Sequence, residues 1–308
     1  MNRCAITYEP CKGKHSQGGL KHLHGRLAQL NDLPFTAKEQ RKEAASRQSK
    51  MSIQGVQPKL NARLSVKEQA FEIVDIHGRY IIKPQSEIYT QLPENESITM
   101  KMASAFGIET PFSGLVYSKD GSRSYFVRRF DRYGHNKKFA VEDFAQLSGE
   151  KRDTKYNFSM EKLLTILDEF CTFPMIDKAR LLRRVLFCFV TGNEDMHLKN
   201  FSLIRNLKIT KLSPAYDLLN TTIAMTGATE ELALPLAGKK RKITAELLFD
   251  YYAKERMGLN EKMIESIKEN LEEMRPEMEN LIRISFLNEE MQAQYLDMME
   301  ERYKRLLK

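Results

Sequence analysis

No C-x-x-C pair occurs among the four cysteines, Cys4, Cys11, Cys171 and Cys188. That removes the usual thiol-redox and zinc-ribbon patterns. Cys4 and Cys11, taken with His15, His22 and His24, match no standard zinc spacing and read as scattered structural residues. No uninterrupted run of about 18 apolar residues exists, so no transmembrane helix is expected. The N-terminus, MNRCAITYEPCKGKHSQ, has no apolar stretch of signal-peptide length. A reducing, cytoplasmic compartment is the expectation. Both G-x-x-x-x-G-K-[ST] and G-x-G-x-x-G are missing, which excludes the P-loop and dinucleotide fingerprints. No helix-turn-helix, zinc finger or aromatic stacking signature is present, so no direct nucleic-acid binding is expected.

What is present is an ordinary globular composition. Of 308 residues, 42% are hydrophobic and 29% charged, enough for two domains or one large bilobed one. The formal net charge of +8 favours anionic partners such as nucleotides or an acidic protein face. The clusters Lys239-Lys240-Arg241-Lys242 and Lys304-Arg305 read as solvated faces. Cys188, in the apolar run Val185–Val190, reads as a small buried hydrophobe.

The texture changes near residue 130. Residues 1–130 read as a strand-rich lobe with one main helix, and residues 131–308 as a helical lobe with one loop-rich insertion. The charged stretch Ala37–Lys50 reads as a helix or as a mobile lead-in. Leu60–Leu64 alternates weakly. Phe71–Ile76, the turn signal His77-Gly78 and Tyr80–Lys83 predict a hairpin. Glu94–Phe106 reads as a helix, and Ser113–Tyr117 with Ser124–Arg129 as a second hairpin around Lys119-Asp120-Gly121. Beyond these, Ser159–Phe170 is amphipathic. Met175–Val190 is apolar nearly all round, which marks a helix buried at a domain centre. Short strands are expected to flank the loop near 193–200 and again at 208–212, and Thr244–Lys308 is strongly helical. The order fits an α+β enzyme with two lobes and a cleft.

The stretch Gly192-Asn193-Glu194-Asp195-Met196-His197-Leu198-Lys199-Asn200-Phe201 carries the chemical signal. Asp217 follows seventeen residues after Asn200. Phosphoryl transfer needs a carboxylate that orients the attacking hydroxyl, hard oxygen ligands that hold Mg2+ against phosphates, and cations that offset charge. Asp195 is the candidate base, Asn200 and Asp217 the candidate metal ligands, and His197 and Lys199 lie inside the same loop. Against this stands the bland reading, in which Asp and Asn in a turn only bond their own backbone. Lys83 ends an apolar strand, where a charge is unexpected. A lysine that holds the α and β phosphates would sit there, steadied by Glu96, or else Glu94, on the next helix. The bland alternative is a strand-end lysine in water. The candidate phosphate loop is Ser49–Lys59, with the single glycine Gly55.

The set Gly55-Val56-Gln57-Pro58-Lys59, Phe130-Asp131-Arg132, Glu142-Asp143-Phe144, the 192–201 loop, Ala215-Tyr216-Asp217 and Ala233-Leu234-Pro235-Leu236 resembles the HipA kinases of toxin–antitoxin systems. The likeness runs over nearly the whole chain. It implies a bilobed protein-kinase-like fold and ATP- and Mg2+-dependent phosphorylation of protein serine or threonine, with an aminoacyl-tRNA synthetase as the target class. By motif position, Gly55, Val56, Gln57 and Lys59 would cradle phosphate. Arg128, Arg129, Phe130 and Asp131 would form the hinge that meets adenine through backbone groups. Within the family the chain is similar to the short HipT form, which lacks the long form's N-terminal subdomain. The implied partners are a small HipS-like protein that replaces that subdomain and a HipB-like DNA-binding antitoxin. The resemblance also implies autophosphorylation at Ser52, whose added charge of about −1.5 to −2 beside bound triphosphate would eject the loop. An ordinary turn-capping serine is the alternative there. A small-molecule or lipid kinase, and a non-catalytic subunit of an antitoxin–DNA complex, stay open as readings of the chain.

Overall fold

The computed structural model describes residues 2–47, 57–150, 154–225, 227 and 229–307. These divide into two compact units, one made of residues 2–97, 111–136 and 284–287, the other of 98–110, 137–283 and 288–307.

The first unit is built on five antiparallel strands: β1 (Leu60–Ser65), β2 (Ala70–Ile73), β3 (Tyr80–Lys83), β4 (Ser113–Tyr117) and β5 (Arg123–Arg128). They lie in the order β2-β1-β3-β5-β4. The β4–β5 pair is the expected hairpin, and Gly121 supplies its left-handed turn residue at φ +79°. The hairpin expected between residues 71 and 83 does not form. β2 and β3 both pair with β1, and Ala62 is flanked by Ile73 on one side and Tyr80 on the other. The turn at His77, with φ +60°, therefore carries the chain across β1 instead of folding it back. Local turn chemistry was right and the pairing partner was not, because the partner lies upstream of both strands.

Helices α1 (Gln17–Leu23) and α2 (Ala37–Arg47) belong to this unit. Ser16 caps α1 by accepting from the Gly19 amide at 3.0 Å. Gln40 of α2 is fully buried, and its amide donates to Ser118 while Ser124 donates to it. Leu23, Leu33, Leu60, Ala62, Phe71, Ile82 and Phe126 form the core, in which the Phe71, Tyr80 and Phe126 rings meet at 5.1 to 6.2 Å. Helix α3 (Leu92–Ala105) follows β3 and occupies the expected place.

The second unit centres on α5 (Pro174–Val190), preceded by α4 (Met160–Phe170). Ser159 caps α4, and Pro174 starts α5 where a missing N–H costs nothing. From Leu181 to Val190 every residue of α5 except Arg183 is buried, as its all-round apolar sequence predicts. Strands β6 (Ala140–Asp143), β7 (Ser202–Asn206) and β8 (Ile209–Leu212) make a three-stranded antiparallel sheet beside it. The chain enters the 193–200 loop from α5, so a strand stands only on its carboxyl side. Helices α6 (Glu261–Arg283) and α7 (Glu289–Leu306), with a wider π-type helix at Leu247–Arg256, complete the unit.

Candidate active site

In the second unit the site begins where α5 stops. Gly192 takes φ +68°, and a Cβ there would lie 2.8 Å from both Asn220 Oδ1 and Thr222 Oγ1. Only glycine fits, so the helix ends and the chain turns into the loop. Asn193 is buried, and its Oδ1 accepts from the Asp195 amide at 3.2 Å. Leu198 and Phe201 are fully buried and anchor the loop from below, with Phe201 against Phe144 at 5.7 Å. Between the anchors, Leu198–Asn200 form one 3-10 turn.

This folding brings together Asp195, His197, Lys199 and Asn200. The Asn200 amide nitrogen donates to the Asp195 carbonyl at 2.7 Å. The carboxamide oxygen of Asn200 is thereby fixed as the remaining acceptor. His197 Nδ1 accepts from the Lys199 amide at 3.2 Å, which places a neutral ring's proton on Nε2, 3.9 Å from Asp195 Oδ1. Burial holds the His197 pKa below 6.5, although the charges of Asp195 and Asp217 both oppose it. His197 is thus neutral at pH 7, and both carboxylates act on it. Lys199 Nζ is paired with Asp143 Oδ2 at 2.7 Å. Asp143 ends β6 and caps the short helix Phe144–Leu147 with its other oxygen. Tyr216 donates to the Lys199 carbonyl at 2.9 Å, which ties the segment before Asp217 to the loop.

Asp217 itself stands at φ +59°. Asp is one of the few residues besides Gly and Asn that adopt this region readily, so the tight turn accommodates a carboxylate at this position. Asn200 and Asp217 supply hard oxygens, the donor set that suits magnesium. Among the described residues no cluster of three or more His, Cys, Asp or Glu could hold a metal ion. A magnesium ion that arrives with phosphate oxygens and water needs no such cluster.

In the first unit, Lys83 Nζ donates to Glu96 Oε1 at 2.6 Å, with side-chain exposures of 9% and 2%. Lys83 therefore does not point into water. Glu94 pairs instead with Arg123 at 2.6 Å. Arg129 binds Asp131 through two parallel contacts of 2.9 and 2.8 Å and reaches Asn61 Oδ1 at 3.3 Å. Burial would raise the Asp131 carboxyl, but Arg129 and Arg132 outweigh it and hold the group below its usual range. The backbone amides of Arg128 and Arg129 donate to the Phe112 and Arg79 carbonyls at 2.8 Å each. The Arg128 side chain turns to the Tyr80 hydroxyl and the Leu23 carbonyl. Gln57 and Lys59 lead into β1. Gly55, Val56 and Ser52 lie outside the described residues. Sequence reasoning gave no role to Asn61 or Tyr156. Tyr156 donates to Asp195 Oδ1 at 2.5 Å, a contact between residues 39 apart in the chain that no local pattern announces.

A mixed helix-and-sheet fold with this loop defines a protein of the kinase-like class. The chain belongs to the HipA-like family, matching the HipA-like C-terminal domain over residues 51–278. It is 31% identical over 243 residues to a protein of Haemophilus influenzae named "Putative kinase", covering 72% of this chain and 69% of that one. It is 30% identical over 191 residues to the serine/threonine-protein kinase toxin HipA of Shewanella oneidensis, covering 56% of this chain and 43% of the toxin. The segment matched in sequence thus spans less than half of that toxin's length. In structure it resembles the Shewanella oneidensis HipA solved with HipB and operator DNA, with TM-score 0.71, 22% identity and coverage of 95% of this chain and 74% of that one. The Helicobacter pylori kinase CtkA is more distant, with TM-score 0.53, 14% identity, and 73% and 86% covered. No described helix is long and apolar enough to cross a membrane.

Proposed function

We propose that the chain is an ATP- and Mg2+-dependent serine/threonine protein kinase that acts as a toxin. The observation that carries this reading is the bond from the Asn200 amide to the Asp195 carbonyl. It spends the donor side of the carboxamide inside the loop and leaves the carboxamide oxygen as its acceptor, five residues after the Asp195 carboxylate. That is the division of labour phosphoryl transfer asks of one carboxylate and one amide.

Asp195 orients the acceptor hydroxyl and takes its proton. Asn200 and Asp217 are the oxygen ligands for the metal, which would neutralise charge on the phosphates. Lys83, steadied by Glu96, holds the α and β phosphates. Lys199 is held by Asp143 and lends positive charge to the loop, while neutral His197 packs beside the base. Gly55, Val56, Gln57 and Lys59 form the phosphate loop, and Arg128 to Asp131 meet the adenine. Ser52 is the autophosphorylation site. The family resemblance supports an aminoacyl-tRNA synthetase as substrate. It also supports a HipB-like DNA-binding antitoxin and a HipS-like small protein as partners in a short, HipT-like system.

The test is incubation of the purified chain with γ-labelled ATP, Mg2+ and whole-cell lysate, beside the Asp195→Asn and Asp217→Asn variants. The expected outcome is a labelled protein band and label on Ser52 with the wild type, both reduced at least a hundredfold in each variant. Asn tolerates positive φ, so the second substitution leaves the fold intact. Label confined to small metabolites or lipids would defeat the protein-kinase reading.

A further inference from the structure

Tyr156 lies in none of the motifs that carry the family resemblance, yet it touches the candidate base. Its hydroxyl donates to Asp195 Oδ1 at 2.5 Å. Its ring packs edge-on against His197, with centroids 5.2 Å apart and planes at 87°. His197 Nε2 faces the same Oδ1 from 3.9 Å. Two rings that brace each other therefore border one oxygen of the carboxylate. Oδ2 has no hydrogen-bond partner among the described residues, and the Asp195 side chain is 46% exposed. The base thus has one engaged oxygen and one open oxygen.

We propose that Tyr156 is the positioning residue of the phosphotransfer site, holding Asp195 by Oδ1 so that Oδ2 receives the acceptor hydroxyl. The inference rests on the kinase reading above and extends it to a residue outside the loop. A lone carboxylate at this exposure would rotate about χ1 and χ2 between several wells. A donor at one oxygen removes that freedom, and proximity effects make small misplacements costly in rate. Burial raises the Tyr156 pKa, and its bond to the carboxylate raises it further, so the phenol stays a donor at neutral pH. Tyr156 acts through Asp195 and does not itself touch the acceptor. The alternative use of the contact is competition, in which the phenol fills the acceptor's own place. An acceptor that binds at Oδ2 does not compete with a phenol at Oδ1.

Steady-state kinetics of Tyr156→Phe separate these. The phenyl ring keeps its packing on His197 and loses only the donor. The expected result is a kcat lower by about ten- to hundredfold, as for loss of a hydrogen bond to a charged group, with KM for ATP and for the acceptor protein unchanged. Incorporation of 3-fluorotyrosine at position 156 keeps ring and donor, and is expected to restore kcat to near the wild-type value. A wild-type kcat in Tyr156→Phe overturns the proposal. So does a raised kcat, which would mark a competing phenol, and so does a several-fold rise in KM for ATP. Should Tyr156→Phe lower the melting temperature, the fluorotyrosine protein decides, since a failure to restore kcat overturns positioning. A wild-type chain that transfers no phosphate to protein sinks the kinase reading itself. An active wild type with an equally active Tyr156→Phe sinks this inference alone.

Discussion

His15 sets a pH limit from a single side chain. Its ring is half-buried against Tyr117, at 6.3 Å and nearly perpendicular, and its Nε2 has no hydrogen-bond partner among the described residues. Burial pulls the imidazole down to about 4 from an ordinary 6.5, Asp32 opposes that shift and Lys14 adds to it. The folded chain therefore takes up this proton only near pH 4, whereas the unfolded chain takes it up near 6.5. Stability from this residue is complete above pH 6.5 and is lost as pH falls towards 4, by about 2–3 kcal/mol. Urea unfolding at pH 7 and pH 4.5 measures it. His15→Phe keeps the edge contact with Tyr117 and should lose less stability than wild type over that interval. Equal losses in both proteins would show that His15 has no part in the acid sensitivity. Lys83 and Glu96 present the opposite case, in which both charges are buried and kept together. An apolar strand that ends in lysine, followed by an acidic helix, made that pair legible from the sequence.

At the scale of elements, helices were easier to read than strand pairings, for a physical reason. A helix closes its hydrogen bonds within a few residues, so its periodicity and caps are local. Ser159, Pro174 and Gly192 mark the ends of α4 and α5, and the apolar run of α5 implies its burial. A strand takes its partner from anywhere. The segments 70–73 and 80–83 look like a hairpin because His77-Gly78 is a turn, but β1 lies between them. Likewise β7 finds its second neighbour in β6, about sixty residues upstream, and that pairing puts Asp143 beside Lys199. The candidate site divides along the same line. Asp195, His197, Lys199 and Asn200 fall within one short loop and were legible by spacing. Tyr156, Asn61 and the Asp143 contact depend on tertiary placement and were not. The central place of α5 has a measurable consequence. Leu186 is fully buried, and Leu186→Ala should cost about 2–5 kcal/mol in urea unfolding by leaving a cavity. A loss under 1 kcal/mol would mean that α5 is not the packed centre of its unit.

For the whole molecule, the question is whether catalysis or mere association does the work. A net charge of +8 suits an acidic partner or a nucleotide equally well and decides nothing. The local geometry is more discriminating. A chain kept only as a binding subunit has no use for a buried Lys83–Glu96 pair, because removing both charges in favour of packed apolar groups is often neutral or stabilising. The left-handed turn at Asp217 also carries a carboxylate, where a merely structural turn would be served by glycine. Both features occur together with the Asp195–Asn200 bond, so the toxicity proposed for the chain should depend on turnover. Controlled expression in a bacterial host tests this, with growth and soluble protein level followed together. The wild type should arrest growth, whereas Asp195→Asn, at the same soluble level and melting temperature, should not. Arrest by the Asn variant equal to that of wild type would mean that binding, and not phosphate transfer, is the harmful act. The Asp195 side chain is half-exposed, and the bonds by which this residue holds the loop run through its backbone amide and carbonyl, so its substitution removes the carboxylate's chemistry and leaves the scaffold standing.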